Sequence, residues 1–290
     1  MAIFNLGSIN ADLSYSVDAF PEPGETISAH SVSRGLGGKG TNMSVAAARA
    51  AAHVVHIGAV GRDGDWAIER LTEYGVDTRY ITYGSTTGHA IIMVDRSGEN
   101  AILIHSGANL EITESAIGAA LGQSSTGDYF VAQNETNMQF EAASLAKKLG
   151  LTVVYAAAPF DVDVVQMMLP MIDILVLNQV EADQLQKATG KPPQDLGVAQ
   201  VIITLGAKGC RWFNAETEVS KVFDAEPVKA VDTTGAGDTF TGFMVAGLDR
   251  GLPMEQALKL ASRAGAIMVT RHGTADVIPD LKDIQDRFGP

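Results

Sequence analysis

A chain of 290 residues with 46% apolar side chains has enough core material for one large α/β domain or two smaller ones, and disorder is not expected. A formal net charge of -13 argues against nucleic-acid binding, which needs a basic face. The same charge repels a free nucleotide at long range, so a bound polyphosphate must be met by a local array of amides and a cation.

The first apolar run, residues 2–7, predicts a strand, with Asn10 and Asp12 after it. The opening MAIFNLGSINAD has neither a basic stretch nor a long apolar one, so a secretory leader is not expected. Residues 37–52 begin glycine-rich and turn alanine-rich, the pattern of a loop entering a helix. The run SVAAARAAAHVV within and beyond it carries Arg49 and is too short and polar to span a bilayer, so no membrane partner is expected. A buried strand is predicted over 54–61 and a helix over 66–75, stopped by glycine. Residues 87–107 differ in texture: two β-rich runs flank RSGEN, a hairpin signal. Residues 24–35 share that texture, so the two segments are expected to form a small sheet outside the main domain.

Beyond residue 110 the alternation is regular. Strands are predicted over 128–133, 151–157, 173–178 and 200–206, and helices over 138–150, 180–190, 234–251 and 254–273. This alternation predicts a mostly parallel sheet with helices on both faces. Ligands of such sheets bind beyond the carboxyl ends of the strands, where Asn10, Asp12, Glu135, Asn178 and Thr204 are expected. The single cysteine, Cys210, excludes an internal disulfide, fits a reducing cytoplasm and reads as a buried strand residue.

GLGGKG (35–40) matches G-x-G-x-x-G, but it does not follow the first strand tightly and no acidic residue ends the next strand, which argues against a dinucleotide site. A phosphate-binding Walker loop fails as well, because Gly40 follows Lys39 and Ser33 stands at the first glycine position. Two readings remain: a glycine turn entering a helix, or a polyol site. Lys39 and Asn42 lie one turn apart at the helix start and face the same way. Asn10 and Asp12 point to one side if the chain stays extended, and each can hold two hydroxyls. Asn178 and Glu181 fit either a capping box or a place for a hydrated magnesium ion. TLGAKG (204–209) fits a hairpin turn or a set of amides facing a phosphate. The histidines show no ligand spacing, so a transition-metal site is not expected.

VDTTGAGDTF (231–240) places the amides of Gly235, Ala236 and Gly237 at a helix start, a corner that binds anions. Asp238 beside it either complements the helix dipole or takes a proton from a hydroxyl that attacks a phosphoryl group.

GGKGTN (37–42) and DTTGAGD (232–238) resemble the two signatures of the PfkB carbohydrate kinases. GSINAD, FPEPGET, IHSGAN, NQVEAD, TLGAKG and VTRHG, in that order, resemble the ribokinase branch of the family, so the resemblance covers nearly the whole chain. It implies an α/β three-layer sandwich with a mostly parallel central sheet and a small β-sheet lid. That is one domain over residues 1–290 with lid segments at about 11–36 and 86–106, often shared across a homodimer. It implies ATP-dependent phosphorylation of a sugar hydroxymethyl group, with D-ribose giving D-ribose 5-phosphate. The same chemistry on a nucleoside or another sugar, as in a fructokinase, is the alternative, and a non-catalytic sugar or nucleotide sensor is a remote one. By position, Asp238 matches the catalytic base, with Gly235, Ala236 and Gly237 as the anion hole. Asn10, Asp12, Gly38, Lys39, Asn42 and Glu135 match sugar-binding positions, and Asn178, Thr204, Gly206, Gly209, Gly237 and Ser262 match nucleotide-site positions. Glu181 matches the acidic residue associated with Mg²⁺, held through water. Asp232, Thr234, Met268, Arg271 and Gly273 match a monovalent-cation site, for K⁺, in which Val277 stands where serine is common.

Overall fold

The structure, a computed structural model, describes residues 1–289. Strand β1 (Ala2–Leu6) opens the chain, followed by β2 (Asn10–Ser16), β3 (Ser31–Gly37), helix α1 (Lys39–Arg49) and β4 (His53–Val60). Helix α2 (Asp65–Glu73), β5 (Asp77–Tyr83), β6 (Gly88–Val94), β7 (Asn100–His105) and α3 (Glu114–Leu121) come next. The second half alternates through β8 (Tyr129–Gln133), α4 (Gln139–Lys148), β9 (Thr152–Ala156), α5 (Val162–Met168), β10 (Ile174–Asn178), α6 (Gln179–Thr189) and β11 (Gln200–Thr204). The chain ends with β12 (Cys210–Asn214), β13 (Val219–Phe223), α7 (Ala236–Asp249), α8 (Met254–Met268) and α9 (Leu281–Phe288).

The central sheet has nine strands in the order β13-β12-β11-β10-β9-β8-β1-β4-β5. From β11 to β5 every pairing is parallel, and β12 and β13 add an antiparallel edge. Alternate residues of each inner strand enter opposite cores. Ile3, Val131, Val154, Val176 and Ile202 pack beneath α1, α7 and α8. Phe4, Phe130, Val153, Leu175 and Val201 pack against α3, α4, α5 and α6. Both faces are buried, which is why these strands read as mostly apolar runs. The result is the expected three-layer sandwich. Among the described residues no helix is long and apolar enough to cross a membrane.

A separate sheet runs β3-β2-β6-β7. β6 and β7 pair antiparallel as the hairpin signal predicts, and β2 joins β6 in parallel. The other half of the expectation needs correction. Pairing in the 24–35 segment begins only at Ser31, because Pro21, Pro23 and Gly24 lead in through a loop that cannot form a ladder. Its strand partner is β2, which carries Asn10 and Asp12 and is absent from the strands predicted above. β5, β13, α3, α5 and α9 also lie outside the sequence reading; each has eight residues or fewer, a window too short for its pattern to stand out from the flanking loops.

Helices α1 and α7 cross closely at Gly242. A Cβ there would sit 2.5 Å from Ala46 Cβ and 2.6 Å from the Met43 carbonyl oxygen. Gly242→Ala is expected to cost about 1–3 kcal/mol by forcing the two helices apart, read as a lower denaturation midpoint in urea.

Candidate active site

Helices α1 and α7 begin at the same place. Their N-caps are glycines, Gly38 and Gly235, and neither start is closed by a side-chain cap. An open helix start presents free N–H groups and the positive end of the dipole, and of the two that of α7 is the open one, since the first amides of α1 are taken by Glu135 and Ser8. Of the three amides expected to form the anion corner, that of Ala236 already makes a long bond, 3.3 Å, to the Thr233 carbonyl oxygen. Gly237, the next residue, has its amide in the open first turn.

Asp238 is the third residue of α7, so it is not the cap. Its side chain is buried, and Oδ2 accepts a 2.9 Å hydrogen bond from Asn42 Nδ2 on α1. Burial pushes its carboxyl above the usual carboxylate range; the Lys39 ammonium and the Asn42 bond pull it back, and Glu135 pushes it further up. Reciprocally, the charge of Asp238 holds the Lys39 ammonium above its ordinary value against the cost of burial. Asn42 thus bonds Asp238 directly, and the charge of Lys39, one turn away on α1, acts on the same carboxyl.

The start of α1 is held from outside. Glu135, two residues past β8, accepts the Lys39 amide at 3.0 Å and the Ser8 hydroxyl. Ser8 in turn accepts the Gly40 amide at 3.2 Å through Oγ and the Thr41 amide at 2.9 Å through its carbonyl. Ser8 escaped the sequence reading, although it lies inside GSINAD.

Asn10 and Asp12 alternate along β2 and so share a face, as an extended chain requires. They lie inside a strand of the small sheet, not in a loop beyond the central one. Asn10 Oδ1 accepts Asn109 Nδ2 at 2.7 Å, and Asn109 Oδ1 accepts the Ile9 amide at 2.8 Å. Asn109 is buried and aims Asn10; its only sequence signal is its place in IHSGAN. Asp12 is pushed up to about 6, by burial first and by the charge of Glu135 second.

On the other side of the α7 start lies a cleft of about 310 Å³. Thr204, Gly206, Gly209, Gly237 and Ser262 all line it, between walls that include Pro227, Val228, Phe240 and Val269. TLGAKG is a tight turn into antiparallel β12, and its residues also form one wall of the cleft. Asn178 is not among the lining residues. It forms the capping box with Glu181, its Oδ1 accepting the Glu181 amide at 2.9 Å and its own amide reaching Glu181 Oε2 at 2.7 Å. Burial raises the Glu181 carboxyl, while the bond from the Asn178 amide and the charge of Lys39 pull it back and the charge of Asp238 pushes it further up. Among the described residues no cluster of three or more His, Cys, Asp or Glu side chains could hold a metal.

Beneath the α7 start, Asp232 ties two loops. Its Oδ1 accepts the Thr234 amide at 2.9 Å and its Oδ2 the Gly273 amide at 3.3 Å. Burial pushes its carboxyl up, but these bonds outweigh it and hold the group below the ordinary range. The Met268 carbonyl accepts the Arg271 amide at 3.0 Å, and Val277 lies beside Gly273.

The profile of the pfkB family carbohydrate kinases matches residues 2–281. The ribokinase of Haemophilus influenzae is 37% identical, over 96% of this chain and 95% of that protein. The structure of Arabidopsis thaliana ribokinase complexed with ribose and ATP superposes with a TM-score of 0.87 at 29% identity, over 99% of this chain and 98% of that one. The Burkholderia thailandensis nucleoside kinase in complex with inosine has a TM-score of 0.85 at 19% identity, over 99% of this chain and 96% of that one, a likeness of fold alone.

The raised carboxyl of Asp12 carries a stability signature. A carboxyl at about 6 in the folded chain and 3.8 outside it stabilises the fold most below 3.8 and loses that contribution as pH rises through about 6. Asp12→Asn is therefore expected to raise the thermal midpoint at about pH 8 by a few degrees and to change it little at about pH 4.

Proposed function

The chain belongs to the pfkB family of carbohydrate kinases, and we propose that it transfers the γ-phosphoryl group of ATP to the 5-hydroxyl of D-ribose. One observation carries the residue assignment: Asp238 is buried at the boundary between a polar cluster and an apolar-walled cleft, with Gly237 on the cleft side and Lys39 and Asn42 on the other.

The sugar lies against Asn10, Asp12, Gly38, Lys39, Asn42 and Glu135, and the nucleotide occupies the cleft. Asn42 and Lys39 orient Asp238 toward the attacking hydroxyl. Asp238 accepts its proton as the oxygen attacks phosphorus in line. The open amides of the α7 start, with Gly237 foremost, face the charge that develops on the phosphoryl oxygens. Since this reaction is mostly positioning and electrostatics, the amides contribute at least as much as the base.

Both expected cations fit the oxygen chemistry present. Mg²⁺ keeps its waters and takes few protein ligands, so Glu181 would hold it through water, where it would offset phosphate charge. Asp232 and the carbonyls of Thr234, Met268, Arg271 and Gly273 are hard oxygen donors that would hold K⁺ under the anion corner, with Val277 giving no side-chain donor.

The segments 11–36 and 86–106, which carry most of the small sheet, act as a lid over the sugar within the single domain. Closing the lid would exclude water and suppress ATP hydrolysis. The edge strand β7 leaves Ile102, Leu103 and Ile104 exposed, a run that edge strands avoid unless something covers it. A second copy of this lid is the proposed cover, giving a homodimer in the cytoplasm.

Asp238→Asn is expected to lose about 10² to 10⁴ in kcat while the KM for ribose changes little; turnover near that of the unaltered chain would remove the base assignment. Because Asp238 is raised and must be ionised, the rate is expected to fall as pH drops through a value above the usual carboxylate range. An ATP-coupled screen over pentoses, hexoses and nucleosides, with and without K⁺, tests the substrate; preference for inosine or adenosine would replace ribose with a nucleoside.

A further inference from the structure

Beneath the first turn of α1 lies a polar network that the chemistry above does not use. Asn5, Ser44, His56 and Gln133 are all buried to within 1% of complete exclusion from solvent. They come from four elements, β1, α1, β4 and β8. Asn5 and His56 are direct register partners in the central sheet, so their side chains leave the same face.

The donors and acceptors have a single consistent order. His56 Nε2 lies 3.1 Å from the Gly7 carbonyl, which only accepts, so Nε2 carries the proton. Burial lowers the imidazole to about 4, so the ring is neutral and Nδ1 is an acceptor. It takes the Ser44 hydroxyl proton at 2.8 Å. Ser44 Oγ then accepts one Asn5 amide proton at 2.8 Å, and the other goes to the Gly40 carbonyl at 2.7 Å. Gln133 closes the chain by donating to Asn5 Oδ1 at 2.7 Å. A flipped Asn5 would aim its oxygen at the Gly40 carbonyl and at Ser44 Oγ and its amide at that of Gln133, three repulsive contacts in place of three bonds.

Gly40 follows Lys39 directly and precedes Asn42 by two residues. It lies so close to Gly7 that a Cβ on it would be 2.3 Å from Gly7 Cα. The first turn of α1 therefore rests on the end of β1, clamped through one carbonyl by one amide. Gln133 likewise lies two residues before Glu135, which holds the Lys39 amide.

We propose that His56 and Ser44 are positioning residues for the sugar side of the site: they lock Asn5 in the one orientation that clamps the Gly40 carbonyl, and so fix Lys39 and Asn42 toward the sugar and Asp238. The assignment to the sugar side rests on the kinase reading above. The clamp itself does not.

Ser44→Ala tests both. It removes the hydroxyl that fixes Asn5 and adds no bulk. Amide hydrogen exchange in the free protein is expected to speed up over the first turn of α1 and to stay unchanged in α7 and α8. With the active protein, the KM for ribose is expected to rise roughly three- to tenfold, the scale of one net hydrogen bond, with the KM for ATP unmoved. His56→Asn retains an acceptor near Nδ1 and is expected to recover most of the ribose KM, whereas His56→Leu is not. Unchanged exchange at the α1 start, or KM values for ribose and ATP that rise together, would overturn the proposal. If the unaltered protein phosphorylates no sugar, the kinase reading falls, and the exchange data alone decide the clamp.

Discussion

Asp238 is kept out of water at the point where two helices begin, and the rest of the site is arranged around that constraint. Burial alone would leave the carboxyl protonated and inert as a base. The Lys39 ammonium, the Asn42 amide and the open start of α7 supply compensating positive potential. The outcome is a carboxyl raised yet opposed by its neighbours, which is the balance a proton acceptor needs near neutral pH. The same local potential answers the net charge of -13, which would otherwise turn a polyphosphate away.

That balance depends on distance, so the protein spends much of its buried polarity on holding α1 in place. Ser8 and Glu135 fix its first turn from one side, and Asn5 from beneath. Gly242 lets α7 come close enough to α1 for Asn42 to reach Asp238. These contacts sit at the carboxyl ends of β1 and β8, where a parallel sheet leaves a crevice. The small sheet then begins at Asn10, three residues after the end of β1 and its glycine, so that sheet and the buried polar network under α1 share one short stretch of chain.

Much of this was legible in the sequence, and the reasons are local. The inner strands announced themselves because both their faces are buried. Lys39 with Asn42, and Asn10 with Asp12, were readable as pairs because helix and strand periods alone place them on one face. Ser8, Asn109 and His56 were not, because each owes its role to a partner far along the chain. Ser8 meets Glu135 across 127 positions and Asn109 meets Ile9 across 100. Strand β2 was missed because its polar sequence pairs only through neighbours brought from β3 and β6.

The sequence by itself determined the layered architecture and the chemical types at the strand ends, since periodicity and glycine placement act within a few residues. Only the tertiary structure decided that Asp238 is dry, that Asn42 from 196 positions away holds it, and that Glu181 closes a capping box while the charges of Lys39 and Asp238 act on it. The physical reason is that ionisation and orientation are set by surroundings. Those surroundings exist only once the two helices start side by side.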